Sequence, residues 1–262
     1  MKKIKNILSK TSTFLYSFFY QKKYKCGHVV ISYILKRDKK SKDLIIVFPA
    51  VTKRPFFNYV KTLRNSKSNV LFLKDNFGKE RIGTYMLGER GSTQILLVLD
   101  ELIQHIKDKR IINNIFAIGS SKGGTIAIFW SKISKHNIKS LIVGSPQYHL
   151  GNYLYYHGGG YLLKNIMNGN TSADALELDS QCERIVLTGG GRTNVYFYTS
   201  SNEDDFHKKE SEKLIADLIK TGCTVNVIDG KYVSHSGLAE SYKRFLKEKM
   251  TEFGIWYEIR CC

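Results

Sequence analysis

The chain has 262 residues, 42% of them hydrophobic and 12% aromatic, which is enough apolar material for a substantial core and excludes a disordered polymer. Its 41 Lys and Arg against 23 Asp and Glu leave a net charge of +18. Such a surplus concentrates anions around the protein, or simply keeps a lysine-rich surface soluble. No zinc-finger or RNP-type motif is present, so nucleic acid is not expected as a partner.

Three prolines and the lack of an internal repeat point to one domain. Five cysteines (Cys26, Cys182, Cys223, Cys261, Cys262) are odd in number and form no CxxC pair. That argues against a disulfide framework and a structural zinc; no metal is expected, and a reducing cytoplasm fits.

Residues 1–25 read as a basic, aromatic N-terminal segment. Its apolar run from Phe14 to Tyr20 is too short to span a bilayer, and no small-residue cleavage site follows. The segment is expected either to pack its aromatic face on the domain or to lie in an anionic membrane interface. The domain itself is expected over 26–252, followed by a tail over 253–262 that ends in Cys261-Cys262.

Strand-like runs at 28–35, 44–50 and 69–75 precede a helical pattern over 92–108. A buried strand follows at 114–119, a helix from Gly123 to about Ser134 and a strand at 139–146. After 147–193 come a strand at 194–200, a helix near 207–220, a strand at 224–229 and a helix from about Leu238. This alternation predicts an α/β fold with a mostly parallel sheet covered by helices on both faces. Residues 147–193 break the rhythm and are expected to form small helices and loops, a lid-like insertion over one end of the sheet. In open α/β sheets a ligand sits beyond the carboxyl ends of the strands, where such a lid would lie.

Gly119-Ser120-Ser121-Lys122-Gly123 matches G-x-S-x-G between a buried strand and a helix. That is the setting of a nucleophile elbow, in which a strained turn lifts a serine Oγ clear of the sheet. The competing reading is a serine that merely caps the helix. The amide of Lys122 is the first oxyanion-hole candidate, and the loop after 44–50 supplies the second, Val51 or its neighbour Ala50. His157-Gly158-Gly159-Gly160 follows the elbow in sequence and cannot occupy that loop.

A serine nucleophile needs a base and an orienting acid, in the chain order serine, acid, histidine. Asp204 and Asp205 lie just past one strand, with Asp204 favoured as the orienter. His235 follows the last strand and is the one histidine of seven with the right order and setting. His207 falls on the helix after Asp204 and is expected to face solvent.

"GSSKGG", "SPQYHLGNYL", "SNEDDFHKKESEKL" and "SHSGLAESYKRFL" together resemble the capsule polysaccharide O-acetyltransferases with an α/β-hydrolase fold, from about residue 44 to 250. "IGTYML" at 82–87 and the preceding Asp75 add to that resemblance. It implies an acetyl-serine at Ser121, with acetyl-CoA as the donor and a sugar hydroxyl of an acidic capsular or surface polysaccharide as the acceptor. His235 would be the base and Asp204 its orienter. Tyr85, Gln147, Tyr148 and Tyr153 are candidate substrate or lid residues, with Tyr148, Tyr153 and Tyr155 as stacking rings. The location implied is cytoplasmic, with peripheral contact to the inner membrane or to capsule-assembly proteins. The alternatives are an esterase or deacetylase with the same triad, and a non-catalytic accessory protein of polysaccharide biosynthesis or export.

Overall fold

In the computed structural model, residues 15–52, 55–190 and 192–256 are described. The expectations for residues 1–14 and for Cys261-Cys262 lie outside them. Among the described residues the strands are β1 (Lys22–Cys26), β2 (Val29–Lys36), β3 (Asp43–Val47), β4 (Asn69–Lys74), β5 (Asn114–Ser120), β6 (Ser140–Gly144), β7 (Asn194–Thr199) and β8 (Thr224–Asp229). They form one sheet in the order β1-β2-β4-β3-β5-β6-β7-β8. β1 and β2 run antiparallel to each other, as do β2 and β4, and every later pairing is parallel.

The helices are α1 (Val60–Leu63), α2 (Gln94–Asp108), α3 (Lys122–Ile133), α4 (Leu150–Tyr156), α5 (Gly160–Met167), α6 (Ser172–Thr188), α7 (Asp205–Lys220) and α8 (Leu238–Glu252). Strands buried on both faces explain the continuous apolar runs of the sequence. In β3, Leu44 and Ile46 enter one core cluster and Ile45 and Val47 the other. β5 does the same with Ile115 and Ala117 against Phe116 and Ile118. The first cluster takes in α2, which buries Ile95, Leu99, Leu102 and Ile106 at helical spacing. On the other face α8 supplies Leu238, Tyr242, Phe245 and Leu246.

The insertion over 147–193 is more ordered than small helices and loops. Its α6 is 17 residues long and opens on a capping box between Thr171 and Asp174. Leu178, Cys182 and Val186 of α6 join the main core. The N-terminal segment also differs from expectation, because β1 pairs with β2 and the boundary at 25/26 falls inside that strand. In the helical stretch over 15–20, Tyr16 packs on the core while Phe18, Phe19 and Tyr20 are exposed. Among the described residues no helix is long and apolar enough to cross a membrane.

The parallel strands fix where chemistry can occur. The ends of β3, β5, β6, β7 and β8 share one rim, through pairings such as Val47 with Ile118, Ser120 with Gly144 and Thr199 with Asp229. The loops that follow carry Ala50 and Val51, Ser121, Gln147, Glu203 and His235 respectively.

Candidate active site

Ser121 stands between β5 and α3 with φ 51° and ψ −125°, a conformation that L residues adopt only under constraint. Three contacts hold it. Its N–H donates to the Gly144 carbonyl at 2.6 Å, and its carbonyl accepts from Gly124 and Thr125. The flanking glycines allow strand and helix to meet this closely. A Cβ on Gly119 would lie 2.3 Å from the Gly123 carbonyl group, and one on Gly123 would lie 2.8 Å from the Phe48 oxygen. The motif is therefore a steric requirement of the turn.

The side chain of Ser121 makes no helix-capping bond. Its Oγ instead lies 2.9 Å from His235 Nε2. His235 Nδ1 in turn lies 3.0 Å from Glu203 Oε1. This pairing suits a ring whose Nδ1–H donates to the carboxylate and whose Nε2 accepts the serine proton. The Glu203 side chain is fully buried. Its second oxygen accepts the Ser145 hydroxyl at 2.8 Å, and Ser145 is also bonded to the Tyr232 hydroxyl. Burial by itself would raise the Glu203 carboxyl, but the bonds from His235 and Ser145 outweigh it and hold the group below the ordinary glutamate value. The acid stays ionised where it faces the imidazole.

Asp204, expected to orient His235, does something else. It is the N-cap of α7, where its carboxylate accepts the His207 backbone N–H at 3.1 Å. The same carboxylate takes His207 Nδ1–H at 2.8 Å. A capping side chain turns back toward its own helix, which removes Asp204 from His235. Asp205, the other candidate, is exposed in the first turn of α7. Glu203 was missed because two aspartates beside it fit the triad order equally well. The signal lay in the spacing Asp204-x-x-His207, which is that of a cap. His207 is not solvated either; its ring stacks on His235 at a centroid distance of 4.4 Å.

The remaining expected residues divide sharply. Gln147 reaches the site, its Nε2 donating to Ser121 Oγ at 3.0 Å, while its buried Oε1 has no protein partner. Tyr148 does not. It is fully buried and its hydroxyl donates to Asp217, so it cannot serve as a stacking surface. Tyr85 is fully buried as well, and burial raises its hydroxyl well above the ordinary tyrosine value. Tyr153 is half-buried against His157 and Phe206 and meets the His207 ring edge-on.

The oxyanion side is partly defined. Lys122 opens α3, where backbone N–H groups have no intrahelical acceptor. The Ala50 N–H donates to Asn58 Oδ1 at 3.0 Å, which leaves Val51 as the second candidate. Val51 and Lys122 line one cleft together with Tyr161 and Leu162 of the insertion. Sequence reasoning did not foresee the side chain of Lys122. Its Nζ is buried 2.7 Å from Asp75 Oδ2 and lies over the Tyr85 ring. Asp75 also accepts the backbone N–H groups of Thr84 and Met86. Tyr85 and Met86 both have positive φ, so this one carboxylate braces a strained segment against the elbow.

No protein-family model matches the chain, and curated proteins offer no relative. Solved structures do share its architecture. The capsule O-acetyltransferase of Neisseria meningitidis serogroup A superposes with a TM-score of 0.70 at 17% identity, over 87% of this chain and 93% of that one. The chain has the α/β-hydrolase fold. A histidine-to-alanine variant of the meningococcal enzyme in complex with CoA superposes with a TM-score of 0.68 at 18% identity, over 88% and 94% of the two chains. An esterase from Pyrococcus furiosus does so at 0.61 and 16%, over 89% and 90%. Enzymes that transfer an acyl group and enzymes that hydrolyse an ester thus share this architecture.

Proposed function

We propose that the protein is an O-acetyltransferase, which moves acetyl from acetyl-CoA to a hydroxyl of an acidic capsular or surface polysaccharide through an acetyl-Ser121 intermediate. The observation that carries this reading is the unbroken chain from Ser121 Oγ through His235 to the buried Glu203 at a strained elbow.

The chemistry follows from the geometry. His235 Nε2 accepts the Ser121 proton as Oγ attacks the thioester carbonyl, and Glu203 steadies the imidazolium that forms. The carbonyl oxygen becomes an oxyanion, met by the N–H groups of Lys122 and Val51. Collapse expels the CoA thiolate, which takes the proton from His235. A sugar hydroxyl then attacks acetyl-Ser121 and gives its proton to His235. The second collapse returns that proton to Ser121 and releases the sugar ester.

Two features support the acceptor class. The net charge of +18 favours an anionic polymer over a neutral one. The meningococcal enzyme of the same fold is a capsule O-acetyltransferase. The reading also places the protein in the cytoplasm, peripheral to the inner membrane face. The test is CoA release with and without a panel of capsular polymers, followed by NMR of the product. Slow release alone, stimulated by one polymer that gains an ester, supports transfer. Acetate as the sole product, together with loss of esters from acetylated polymers, makes the protein an esterase.

A further inference from the structure

His235 sits at the start of a short 3-10 turn, His235–Gly237. Around it Val233, Ser234 and Ser236 are exposed, and the hydroxyls of the two serines bond to each other. The ring therefore receives little support from its own loop. Two in-plane bonds, to Glu203 and Ser121, hold its edges. One of these cannot persist through the reaction. Once Ser121 is acylated, its oxygen has no proton to donate to Nε2, and the histidine must wait in place for the next nucleophile with Glu203 alone on its edge.

A second histidine covers the face of that ring. His207 stacks on His235 at 4.4 Å with the planes 24° apart. His207 is itself fixed, because Asp204 accepts its Nδ1–H at 2.8 Å and its side chain is only 12% exposed. Its Nε2 is buried without a partner, so its polar anchor is Asp204. Tyr153 and His157 from the insertion and Phe206 from its own helix surround it.

We infer that His207, locked by Asp204, is a positioning residue that holds the His235 ring in plane while Ser121 carries the acyl group. The inference rests on the Ser121–His235 acyl-transfer reading. The contact is a ring stack, so what it needs from residue 207 is a flat face at that height. The role of Asp204 is then to turn that face toward His235 and not to share a proton with it.

The distinguishing measurement is pre-steady-state hydrolysis of p-nitrophenyl acetate, in which the burst reports acylation of Ser121 and the steady state reports its deacylation. His207→Ala is expected to slow the steady state roughly ten- to hundredfold, as a small misplacement of a reacting group does, while leaving kcat/KM and the burst amplitude near wild type. His207→Phe, which keeps a ring but not the bond to Asp204, is expected to recover most of the loss. Circular dichroism and thermal melting verify that each variant is folded. Wild-type deacylation in His207→Ala overturns the inference, and so does a His207→Phe variant as slow as His207→Ala. A burst that survives Ser121→Ala would instead overturn the acyl-transfer reading, so the two failures are separable.

Discussion

Glu203 and Asp204 are neighbours in the chain and hold different histidines: Glu203 binds His235 at 3.0 Å, and Asp204 binds His207 at 2.8 Å. The peptide between them is where a strand-end loop becomes a helix. One carboxylate points inward to the rim of the sheet and is buried; the other points along α7 and is mostly exposed. This division decides which substitution should disable the site. Glu203→Gln should lower kcat by about 10³- to 10⁴-fold, as loss of the orienting charge does in a triad. Asp204→Asn, which still caps a helix, should lose far less. Steady-state kinetics of the two variants in parallel check this; a larger loss at Asp204 would restore the aspartate to the triad.

The fold was legible because its signals are periodic. Strands buried on both faces give unbroken apolar runs, and β5, β8, α3 and α8 begin or end within about two residues of where those runs place them. β1 was not legible, because an edge strand reading Lys-Lys-Tyr-Lys-Cys has no buried face to impose a pattern. Within the site, Ser121 and His235 could be singled out because turn chemistry and chain order constrain them, and Gln147 only through the family resemblance. The acid could not, since which carboxylate points inward depends on where α7 begins. The Lys122–Asp75 pair could not be read at all, because nothing local links residues 47 positions apart.

Gln147 is expected to matter through its contact with Ser121, the proposed nucleophile. Its backbone is fixed independently by Thr125, which exchanges hydrogen bonds with the Gln147 N–H and carbonyl. Gln147→Ala should therefore fold normally and lower turnover about tenfold or more, by removing a donor aimed at Ser121 Oγ. Kinetics beside a melting curve separate the two effects. An unchanged rate would leave the contact without a role.

Tyr242 ties the elbow strand to its neighbour. Its hydroxyl accepts the Gly119 N–H and donates to the Ile142 carbonyl, and the ring is fully buried. Tyr242→Phe removes both of these bonds and should cost about 1–3 kcal/mol. At this chain length each kcal/mol lowers Tm by about 2–4 °C, which differential scanning calorimetry resolves. A Tm equal to that of the wild type would mean that both groups find other partners.

His149 gives a pH signature to the insertion. Its bond to Glu210 at 2.6 Å raises its pKa to about 9 against the opposing effect of burial, and Glu183 adds to the rise. A raised histidine stabilises the fold fully below its unfolded value of about 6.5 and loses that contribution as pH climbs through about 9. Burial would raise Glu210, but His149 outweighs it and lowers the carboxyl, so its share is lost as pH falls instead. The Tm gap between wild type and His149→Gln should be widest near pH 5–6.5 and close above about pH 9. A gap that grows with pH would contradict this assignment.

The most direct test of the acyl-transfer account is mass spectrometry of the protein after brief exposure to acetyl-CoA, with peptide mapping of the modified residue. The account predicts one acetyl group, as an ester on Ser121 and absent from Ser121→Ala. It also predicts that the group leaves the protein and appears on the polysaccharide when the right polymer is added. Acetylation confined to other residues, or an acetyl-Ser121 that no nucleophile removes, would contradict it.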